Sequence, residues 1–408
     1  MRSGFAAVVT GLGVVSPAGH GVADNWAAVV RGDPVAAAHP DLAGLPVDIA
    51  CRVPAFDATR AFGAQRARGT DRYAQLALLA AREAVADSRL DTGSWDAARV
   101  AVVLGTAAAG TATAEEQQAR LLDRGAHRVS AATLPMALSN VAAARVAMEF
   151  GARGPSLSVS TACASGATAI GVGRDLLRTG TADVVIAGAA DAAVTPLYIG
   201  AFHRMRALSR GRPDPSTASR PFDRERDGFV LGEGAGVLVL ETERHAAGRG
   251  ARVLGSVRGH GATCDAHHIT APDPEGTGAE QAMRAALRDA GVDAREVGYV
   301  NAHGTSTRLN DAVEAAVVHR VLGGGAAVSS TKGVIGHPLG AAGAIEAVYC
   351  VLALREGRLP PTANFVEGDP GMALDVVTGA ARDRRTSVAL SNSFGFGGHN
   401  AVLLFTSQ

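Results

Sequence analysis

The hydrophobic positions divide the chain into short buried strands and amphipathic helices. A continuous apolar run at residues 100–104 predicts a strand covered on both faces, and a second run at 184–187 predicts another. The segment 71–88 places its apolar residues on one side of a helix, which therefore packs against a core. The first half also contains predicted strands at 6–15, 157–160, 229–231 and 237–240 and predicted helices at 115–123 and 164–177.

The second half of the chain repeats this order of elements. Its predicted strands and helices alternate at 253–257, 278–290, 297–300, 311–322, 326–329, 338–356, 388–390 and 402–405. The small residues at 165–171 match those at 340–345, and a glycine inside a helix costs about 1 kcal/mol relative to alanine. We therefore predict an α/β protein of two related halves, at 1–250 and 251–408, with these two helices packed together in the middle.

Composition narrows the classes of partner. The chain has 408 residues, of which 47% are hydrophobic, and its formal net charge is zero. It can bury a large core, and it carries no charge excess for nucleic acid or a membrane surface. Aromatic residues make up 4%, which argues against base-stacking platforms. The four cysteines are far apart, without metal-ligand or disulfide spacing, so we expect no metal site and a cytoplasmic location.

Two apolar stretches have the length of a targeting or membrane segment. In the N-terminal stretch, Thr10, Gly11 and Gly13 interrupt the apolar run, which favours a first strand over a signal sequence. The uncharged stretch 154–173 is long enough to span a bilayer, but its serine, threonine and glycine content favours a buried core. We therefore expect no association with a membrane.

Cys163 lies at the turn between a predicted strand and a predicted helix. The free N–H groups and the dipole of a helix start stabilise a thiolate, so we expect the pKa of this thiol to lie below its ordinary value of about 8.5. This position favours a nucleophile. A small buried hydrophobe is the alternative, because cysteine is commonly buried. The local sequence leaves both interpretations open.

Two histidines and one lysine follow other predicted strands. His303 opens a loop of glycine, serine and threonine at 304–307, and His337 precedes Pro338 at a predicted helix start, which holds it extended. Lys332 is the sole lysine among 39 basic residues, which indicates a position where arginine does not substitute. For each of these three residues, the alternative is a purely structural role. However, sites of open α/β sheets form where strands end, which favours a common site for all three.

Four segments carry a resemblance that covers essentially the whole chain. They are Thr-Ala-Cys-Ala-Ser-Gly at 161–166, Asn-Ala-His-Gly-Thr-Ser-Thr at 301–307, the Lys-containing and Gly-His-containing stretch at 330–344, and Asn-Ser-Phe-Gly-Phe-Gly-Gly at 392–398. In this order they resemble the β-ketoacyl-[acyl-carrier-protein] synthases, type II, with the related type II polyketide ketosynthases. The resemblance implies the thiolase fold, a duplicated five-layered αβαβα sandwich, which agrees with the internal repeat.

The resemblance also implies a decarboxylative condensation. Cys163 would take an acyl chain from the 4'-phosphopantetheine arm of an acyl carrier protein, and malonyl-carrier protein would then lose CO₂ and extend the chain by two carbons. His303 and His337 would stabilise the developing negative charge as neutral N–H donors. The backbone N–H groups of Cys163 and Phe396 would hold the oxyanion, and Phe396 would gate the cysteine. The enzyme would need no cofactor of its own.

By the same resemblance, other residues support this chemistry. Thr305 and Thr307 would bind the pantetheine amides, and Phe394 would contact substrate. Lys332 would pair with Glu314 and organise the histidines. The candidates for docking the acidic carrier protein are Arg66, Arg68, Arg128 and Arg206. The chain would work as a homodimer, or as a heterodimer with a chain-length-factor-like subunit.

The chain departs from the fatty-acid type II branch around the acyl pocket. Ala108 stands where that branch has a branched residue, and Ala131 and Ala132 stand where it tends to have bulky aromatics. We therefore expect a roomier pocket that accepts long, rigid or poly-oxygenated chains of a fatty-acid, polyketide or polyene pathway.

Three related classes are alternatives. A thiolase needs a second cysteine near the C-terminal glycine turn and asparagine in place of His303, and this chain has neither. The starter-unit synthases use a Cys-His-Asn set, which the paired histidines contradict. A non-catalytic chain-length partner, a scaffold with the same fold, lacks the nucleophile, so the presence of Cys163 argues against it.

Overall fold

The structure is a computed structural model that describes residues 5–54 and 56–408. Residues 1–4 and 55, which belong to the predicted first half, lie outside the described part. The strands are β1 (Ala7–Ser16), β2 (Gly19–His20), β3 (Ala37–Ala38), β4 (Ile49–Ala50), β5 (Val100–Gly105), β6 (Ser156–Val159), β7 (Val184–Asp191), β8 (Gly234–Thr242), β9 (Gly255–Cys264), β10 (Tyr299–Asn301), β11 (Ala327–Ser329), β12 (Arg358–Leu359), β13 (Asp375–Val376), β14 (Arg382–Asp383), β15 (Val388–Gly395) and β16 (His399–Thr406). The helices are α1 (Val22–Arg31), α2 (Ala58–Phe62), α3 (Ala64–Arg68), α4 (Arg72–Ser88), α5 (Thr111–Arg124), α6 (Thr133–Ala137), α7 (Val141–Phe150), α8 (Ser165–Arg178), α9 (Pro196–Arg204), α10 (Glu243–Gly248), α11 (Thr277–Ala290), α12 (Arg308–Leu322), α13 (Lys332–Ile335) and α14 (Ala342–Glu356).

The two halves build sheets of the same topology. In the first half, β1 pairs antiparallel with β8 and β8 with β7, and then β7, β5 and β6 run parallel. In the second half, β9 pairs antiparallel with β16 and β16 with β15, and then β15, β10 and β11 run parallel. A short antiparallel contact between β1 and β9 joins the two sheets. The duplication predicted from the sequence is therefore present, and the boundary at residue 250 stays a prediction.

The strands send alternate side chains to different helix layers, as their period of two requires. Val185 of the first sheet and Leu403 of the second share one core with α8 and α14. Their neighbours point the other way: Ile186 packs with α4 and α7, and Val402 packs with α11 and α12. The resulting order of layers is helix, sheet, helix, sheet, helix, which is the predicted αβαβα sandwich.

The two central helices touch through their glycines. A Cβ atom added to Gly166 of α8 would lie 2.6 Å from the backbone nitrogen of Ala344 in α14. In the reverse direction, a Cβ on Gly343 would lie 2.9 Å from the backbone nitrogen of Ala167. Neither position has room for a side chain, so the prediction that both helices need close approach is confirmed.

Two predicted elements differ in the structure. Residues 229–231 do not form a regular strand; they make isolated bridges to Leu208 and His337, which are loop residues that only the tertiary fold brings together. The helix predicted at 338–356 begins at Ala342, because a short 3₁₀ turn precedes it and Leu339 has a φ of +48°, which an α-helix does not allow. His337 therefore lies on a turn before the helix rather than at its N-cap.

The structure also bears on the two apolar stretches. Among the described residues, the helices fall short of the combined length and apolarity that crossing a bilayer requires. The stretch 154–173 forms β6, the cysteine turn and most of α8, and several of its side chains, including Ala167 and Ile170, belong to the central core.

The glycine contact makes a testable prediction. Gly166→Ala should lower the free energy of unfolding by about 2 kcal/mol or more, because the new methyl group overlaps the backbone of α14. Gly200→Ala in α9 is the matched control, since its Cβ would meet nothing within 4 Å and alanine favours a helix by about 1 kcal/mol. Denaturant unfolding followed by circular dichroism measures both. Equal midpoints for Gly166→Ala and the wild type would show that the helix contact is not tight.

Candidate active site

Cys163 occupies a tight turn between β6 and α8. The residue before it, Ala162, has a φ of +48°, in the left-handed region that alanine rarely adopts. The Ser165 hydroxyl stabilises this turn, because it donates to the Ala162 carbonyl at 2.6 Å and accepts from the Thr161 N–H at 2.9 Å. The turn leaves the Cys163 side chain 9% exposed, at the inner end of a cavity.

The end of β15 lies directly against this turn. A Cβ atom on Gly395 would lie 2.7 Å from the Thr161 carbonyl oxygen and 3.0 Å from the Cys163 nitrogen, so only glycine allows the approach. This contact brings the backbone of Phe396 to the cysteine. The N–H groups of Phe396 and of Cys163 itself both act on the sulfur and favour its anionic form. Two backbone donors therefore converge where the resemblance implies an oxyanion hole.

His303 and His337 lie next to each other beside Cys163. The cysteine sulfur and one ring nitrogen of each histidine lie within 4.8 Å of one another. The two imidazole rings are nearly perpendicular, at 84°, with centroids 5.4 Å apart. Phe229 packs edge-on against His337 at 5.3 Å, and Phe394 against His303 at 6.0 Å. The sequence places these side chains far apart, and the fold brings them into one site.

The Glu314 carboxylate binds the backbone of the loop that contains His303. Its carboxylate accepts the N–H of His303 at 2.8 Å, the N–H of Gly304 at 2.7 Å and the side-chain amide of Asn392 at 3.1 Å. Burial raises the pKa of Glu314 to about 7, although these hydrogen bonds oppose the rise. The expected ion pair between Glu314 and Lys332 is wrong, because the loop's own N–H groups and Asn392 engage this carboxylate.

Lys332 pairs with Glu346 instead. The lysine Nζ donates to a carboxylate oxygen of Glu346 in α14, and both side chains are fully buried. Glu314 thus binds the loop of His303, and Glu346 binds Lys332. The pair places a positive charge close to both histidines and to the cysteine.

A loop segment holds His337 through its backbone. The His337 N–H donates to the Val230 carbonyl at 2.8 Å, and its own carbonyl accepts from the Gly232 N–H at 3.0 Å. These bonds explain why residues 229–231 form no regular strand, since their partner is the turn of a catalytic candidate. The segment therefore holds the backbone of His337 in place.

The electrostatics of the site favour neutral histidines. Burial, followed by the positive charge of Lys332, holds the pKa of His303 and His337 well below the usual range. Each neutral imidazole offers one N–H donor and one acceptor. Among the described residues, no hydrogen-bond partner reaches the buried Nδ1 atom of either ring. Neutral donors are suited to an anion that develops during a reaction.

The pKa of the Cys163 thiol shifts in the direction opposite to the one predicted from the sequence. Burial raises the pKa of Cys163 to about 11, although Lys332 and the two backbone N–H groups lower it. The predicted lowering was wrong because α8 begins at Ser165, two residues later, and desolvation outweighs the partial charge of the helix start.

The cavity above Cys163 has a volume of about 580 Å³. Thr305 and Thr307 line it, with their hydroxyls 2.9 Å apart, as do Phe394 and Phe396. Ala108 does not line this cavity. It is buried in a cluster with wall residues that include Phe229 and Leu339. The threonines and phenylalanines named from the sequence therefore converge on the cavity, and Ala108 lies behind its wall.

The four arginines are not equivalent. Arg206 lines the cavity, is exposed and adopts a φ of +56°. Arg68 and Arg128 are exposed, and Arg66 pairs with Glu149 at 2.5 Å, so part of its charge is compensated. Arg206 is thus the one of these four that borders the cavity.

The sequence reasoning missed three side chains that shape the site. Glu346 is the only charged residue in the middle of an otherwise apolar helix, which is a signal for a buried partner such as Lys332. Asn392 opens the segment 392–398 and was available from that motif. Asp191 ends the buried strand β7, and its carboxylate accepts the N–H of Gly340, in the turn after His337, at 2.8 Å; nothing in the local sequence of Asp191 indicates this contact.

The raised pKa of Cys163 predicts how its reactivity depends on pH. Because the thiolate is the reacting form and the pKa lies near 11, the rate of alkylation by iodoacetamide should rise about tenfold per pH unit from pH 7 to 10. Intact and peptide mass spectrometry measures the rate in a Cys264→Ser background, which removes the exposed cysteine. A plateau below pH 9 would contradict the buried, protonated thiol.

Comparisons with known proteins identify the family of this chain. The model of the N-terminal domain of β-ketoacyl synthases matches residues 6–246, and that of the C-terminal domain matches residues 254–366. The chain is 44% identical over 409 residues to a 3-oxoacyl-[acyl-carrier-protein] synthase 2 of Synechocystis sp., covering 98% of this chain and 97% of the relative. It is 41% identical to the synthase of the same name from Staphylococcus aureus, with 99% of each chain covered.

The solved structures that this chain resembles are also ketosynthases. The ishigamide ketosynthase/chain length factor superposes with a TM-score of 0.93 at 34% identity, covering 99% of this chain and 100% of that one. A type II polyketide synthase ketosynthase solved in complex with its acyl-carrier protein gives 0.92 at 32% identity, with the same coverage. The chain therefore belongs to the β-ketoacyl synthase family and is a β-ketoacyl-[acyl-carrier-protein] synthase, a condensing enzyme that extends fatty-acid or polyketide chains.

Proposed function

We propose that Cys163 is the nucleophile of the condensation and that His303 and His337 are its two catalytic histidines. The observation that carries this proposal is the convergence of the cysteine sulfur and one nitrogen of each ring within 4.8 Å at the inner end of the cavity. Two backbone N–H groups also act on the sulfur. These are the parts that acyl transfer and decarboxylation require: a thiol, an oxyanion hole and neutral donors.

In the first half-reaction, the Cys163 sulfur attacks the acyl thioester on the carrier arm. The thioester carbonyl becomes a tetrahedral oxyanion, and the N–H groups of Cys163 and Phe396 stabilise it. The carbon–sulfur bond to the carrier then breaks, and the carrier thiol leaves with the proton that Cys163 gave up. Because the resting thiol is protonated, this proton transfer is part of the step.

In the second half-reaction, the first carrier protein has left, and the arm of malonyl-carrier protein takes its place in the cavity. Its carboxylate leaves as CO₂, and the electron pair forms an enolate whose oxygen is stabilised by N–H donors of His303 and His337. The enolate carbon attacks the acyl-Cys163 carbonyl, and the cysteine sulfur leaves as a thiolate, which takes up a proton from solvent to restore the resting thiol. The product is a β-ketoacyl thioester two carbons longer. Neutral imidazoles serve this step because they donate a hydrogen bond without protonating the enolate.

The carrier arm reaches the cysteine through the cavity. We place the pantetheine amides beside the Thr305 and Thr307 hydroxyls, and Phe396 between the arm and the acyl side. Arg206 at the cavity rim offers a positive charge to the acidic carrier protein, with Arg66, Arg68 and Arg128 as further docking candidates. The ketosynthase complexed with its acyl-carrier protein supports this partner by analogy.

We further propose that the chain works as a dimer, with itself or with a chain-length-factor-like subunit, in the cytoplasm. Ketosynthases paired with a chain length factor are among the solved structures that this chain resembles. The alternative, that the chain is itself a non-catalytic scaffold, is not favoured, because a scaffold has no use for a thiol with two neutral imidazoles beside it. The four free cysteines fit a reducing compartment.

Intact mass spectrometry after incubation with acyl-carrier protein tests the nucleophile. The wild type should gain the mass of one acyl group on Cys163, and Cys163→Ala should gain none. Cys350→Ala is the matched control, because this cysteine is buried elsewhere and should leave acylation unchanged. His303→Ala and His337→Ala should still acylate but release CO₂ from malonyl-carrier protein at least about 100-fold more slowly. Acylation of the Cys163→Ala protein would refute the assignment.

The position of Ala108 predicts product length. Ala108→Ile adds a branched side chain behind the cavity wall, where it pushes toward Phe229 and Leu339. The variant should therefore give products shorter by at least one two-carbon unit, measured as carrier-bound acyl masses. Ala131→Ile is made for comparison, because Ala131 stands where the fatty-acid type II branch tends to have a bulky aromatic residue. Products of unchanged length from Ala108→Ile would contradict the roomier pocket.

A further inference from the structure

Asp191 is a fully buried carboxylate beside the site that the steps above do not use. It ends β7 and is 0% exposed. One oxygen accepts the Thr106 hydroxyl at 2.6 Å and the Ala108 N–H at 2.9 Å. The other accepts the Ala107 N–H at 2.9 Å and the Gly340 N–H at 2.8 Å. All of these donors are neutral, so the carboxylate is held by a cradle of hydrogen bonds.

These bonds join two loops from different halves of the chain. Thr106, Ala107 and Ala108 form the loop after β5, which packs behind the cavity wall. Gly340 belongs to the turn that follows His337 and precedes α14. One carboxylate thus connects the loop of Ala108 to the turn of a catalytic histidine.

Both loops are in conformations that need such support. Leu339, next to Gly340, has a φ of +48°, and Ala109, next to Ala108, has a φ of +50°. Non-glycine residues in this region are strained by about 1 kcal/mol or more and persist where the surroundings fix them. The approach is also tight, because a Cβ on Gly340 would lie 2.7 Å from Asp191 Oδ2 and 2.7 Å from the Ala107 nitrogen.

The charge of Asp191 does not assist the nucleophile. Burial raises the pKa of Asp191 to about 6, and its carboxylate acts on Cys163 to raise the thiol pKa further. The charged groups acting on the thiol therefore oppose each other: Lys332 favours the thiolate and Asp191 disfavours it. A neutral residue here would give a more reactive thiol, so the value of the carboxylate lies in the loops that it holds.

We propose that Asp191 is a positioning residue of the condensation, whose carboxylate clamps the loop of Thr106 to Ala108 against the turn of Leu339 and Gly340 and keeps His337 aligned with the acyl group on Cys163. The proposal rests on the proposed roles of Cys163 and His337. The clamp acts across the two halves of the chain, and it sets the separation between the acyl side of the site and the histidine side.

Asp191→Asn separates this role from a purely structural one. The amide keeps the shape but replaces an acceptor with a donor that faces N–H groups. Condensation should slow at least about tenfold in kcat, with the KM for acyl-carrier protein changed less than about threefold. Alkylation of Cys163 at pH 8 should become about threefold faster or more, because the opposing charge is gone. A slower condensation with a more reactive thiol is the expected signature.

Two further variants keep the test decisive. Glu241→Gln removes a buried carboxylate of β8 far from the site, and it should lower the melting temperature while leaving alkylation unchanged. Thr106→Val removes one bond to Asp191 but keeps the charge, so condensation should slow about threefold with alkylation unchanged. If Asp191→Asn does not fold, wild-type condensation by Thr106→Val overturns the proposal.

The outcomes also distinguish this proposal from the function on which it rests. A wild-type enzyme that neither acylates Cys163 nor releases CO₂ from malonyl-carrier protein would refute the proposed function. Wild-type condensation rates in a folded Asp191→Asn protein, or an unchanged alkylation rate, would overturn the role of Asp191 alone.

Discussion

The contact between the two central helices is the constraint on which the rest of the structure depends. At Gly166 and Gly343, α8 and α14 approach so closely that each glycine meets the backbone of the other helix. The helices continue from the cysteine turn and from the histidine turn, so the distance between them sets the distance between Cys163 and His337. The same contact joins the two helices of the central layer, which packs between the two sheets. The fold and the placement of these two turns therefore depend on the same packing interface.

Burial then determines the chemistry of the site. Because Cys163, His303 and His337 lie at the inner end of the cavity, desolvation keeps the thiol protonated and the imidazoles neutral. Lys332 adds to the effect on the histidines and offsets part of it on the cysteine. Its charge is compensated by Glu346, so the site has a buried ion pair next to neutral reacting groups. Such a site favours reactions in which charge appears only transiently.

Much of the fold was predictable because its signals are local. The apolar runs at β5 and β7, the amphipathic α4 and the repeated order of elements all appear in the structure near their predicted bounds. The cysteine, the two histidines and the glycine turn were recognised from their motifs, and the fold brings them together. Glu346 in an apolar helix signals a buried partner, but the choice of Lys332 as that partner was not predictable, since Glu314 was also buried and available and only packing selects between them.

The sequence alone determined the class of the molecule: a duplicated α/β sandwich with a cysteine turn, two histidines and a glycine-rich turn that serve a condensation. These follow from hydrophobic period and from short motifs, which are properties of neighbouring residues. Only the tertiary structure decided the sign of the pKa shift of Cys163, the partner of Lys332 and the contacts of Asp191. Each of these depends on burial or on donors more than 10 residues away along the chain, and desolvation exists only once the two halves have closed around the site.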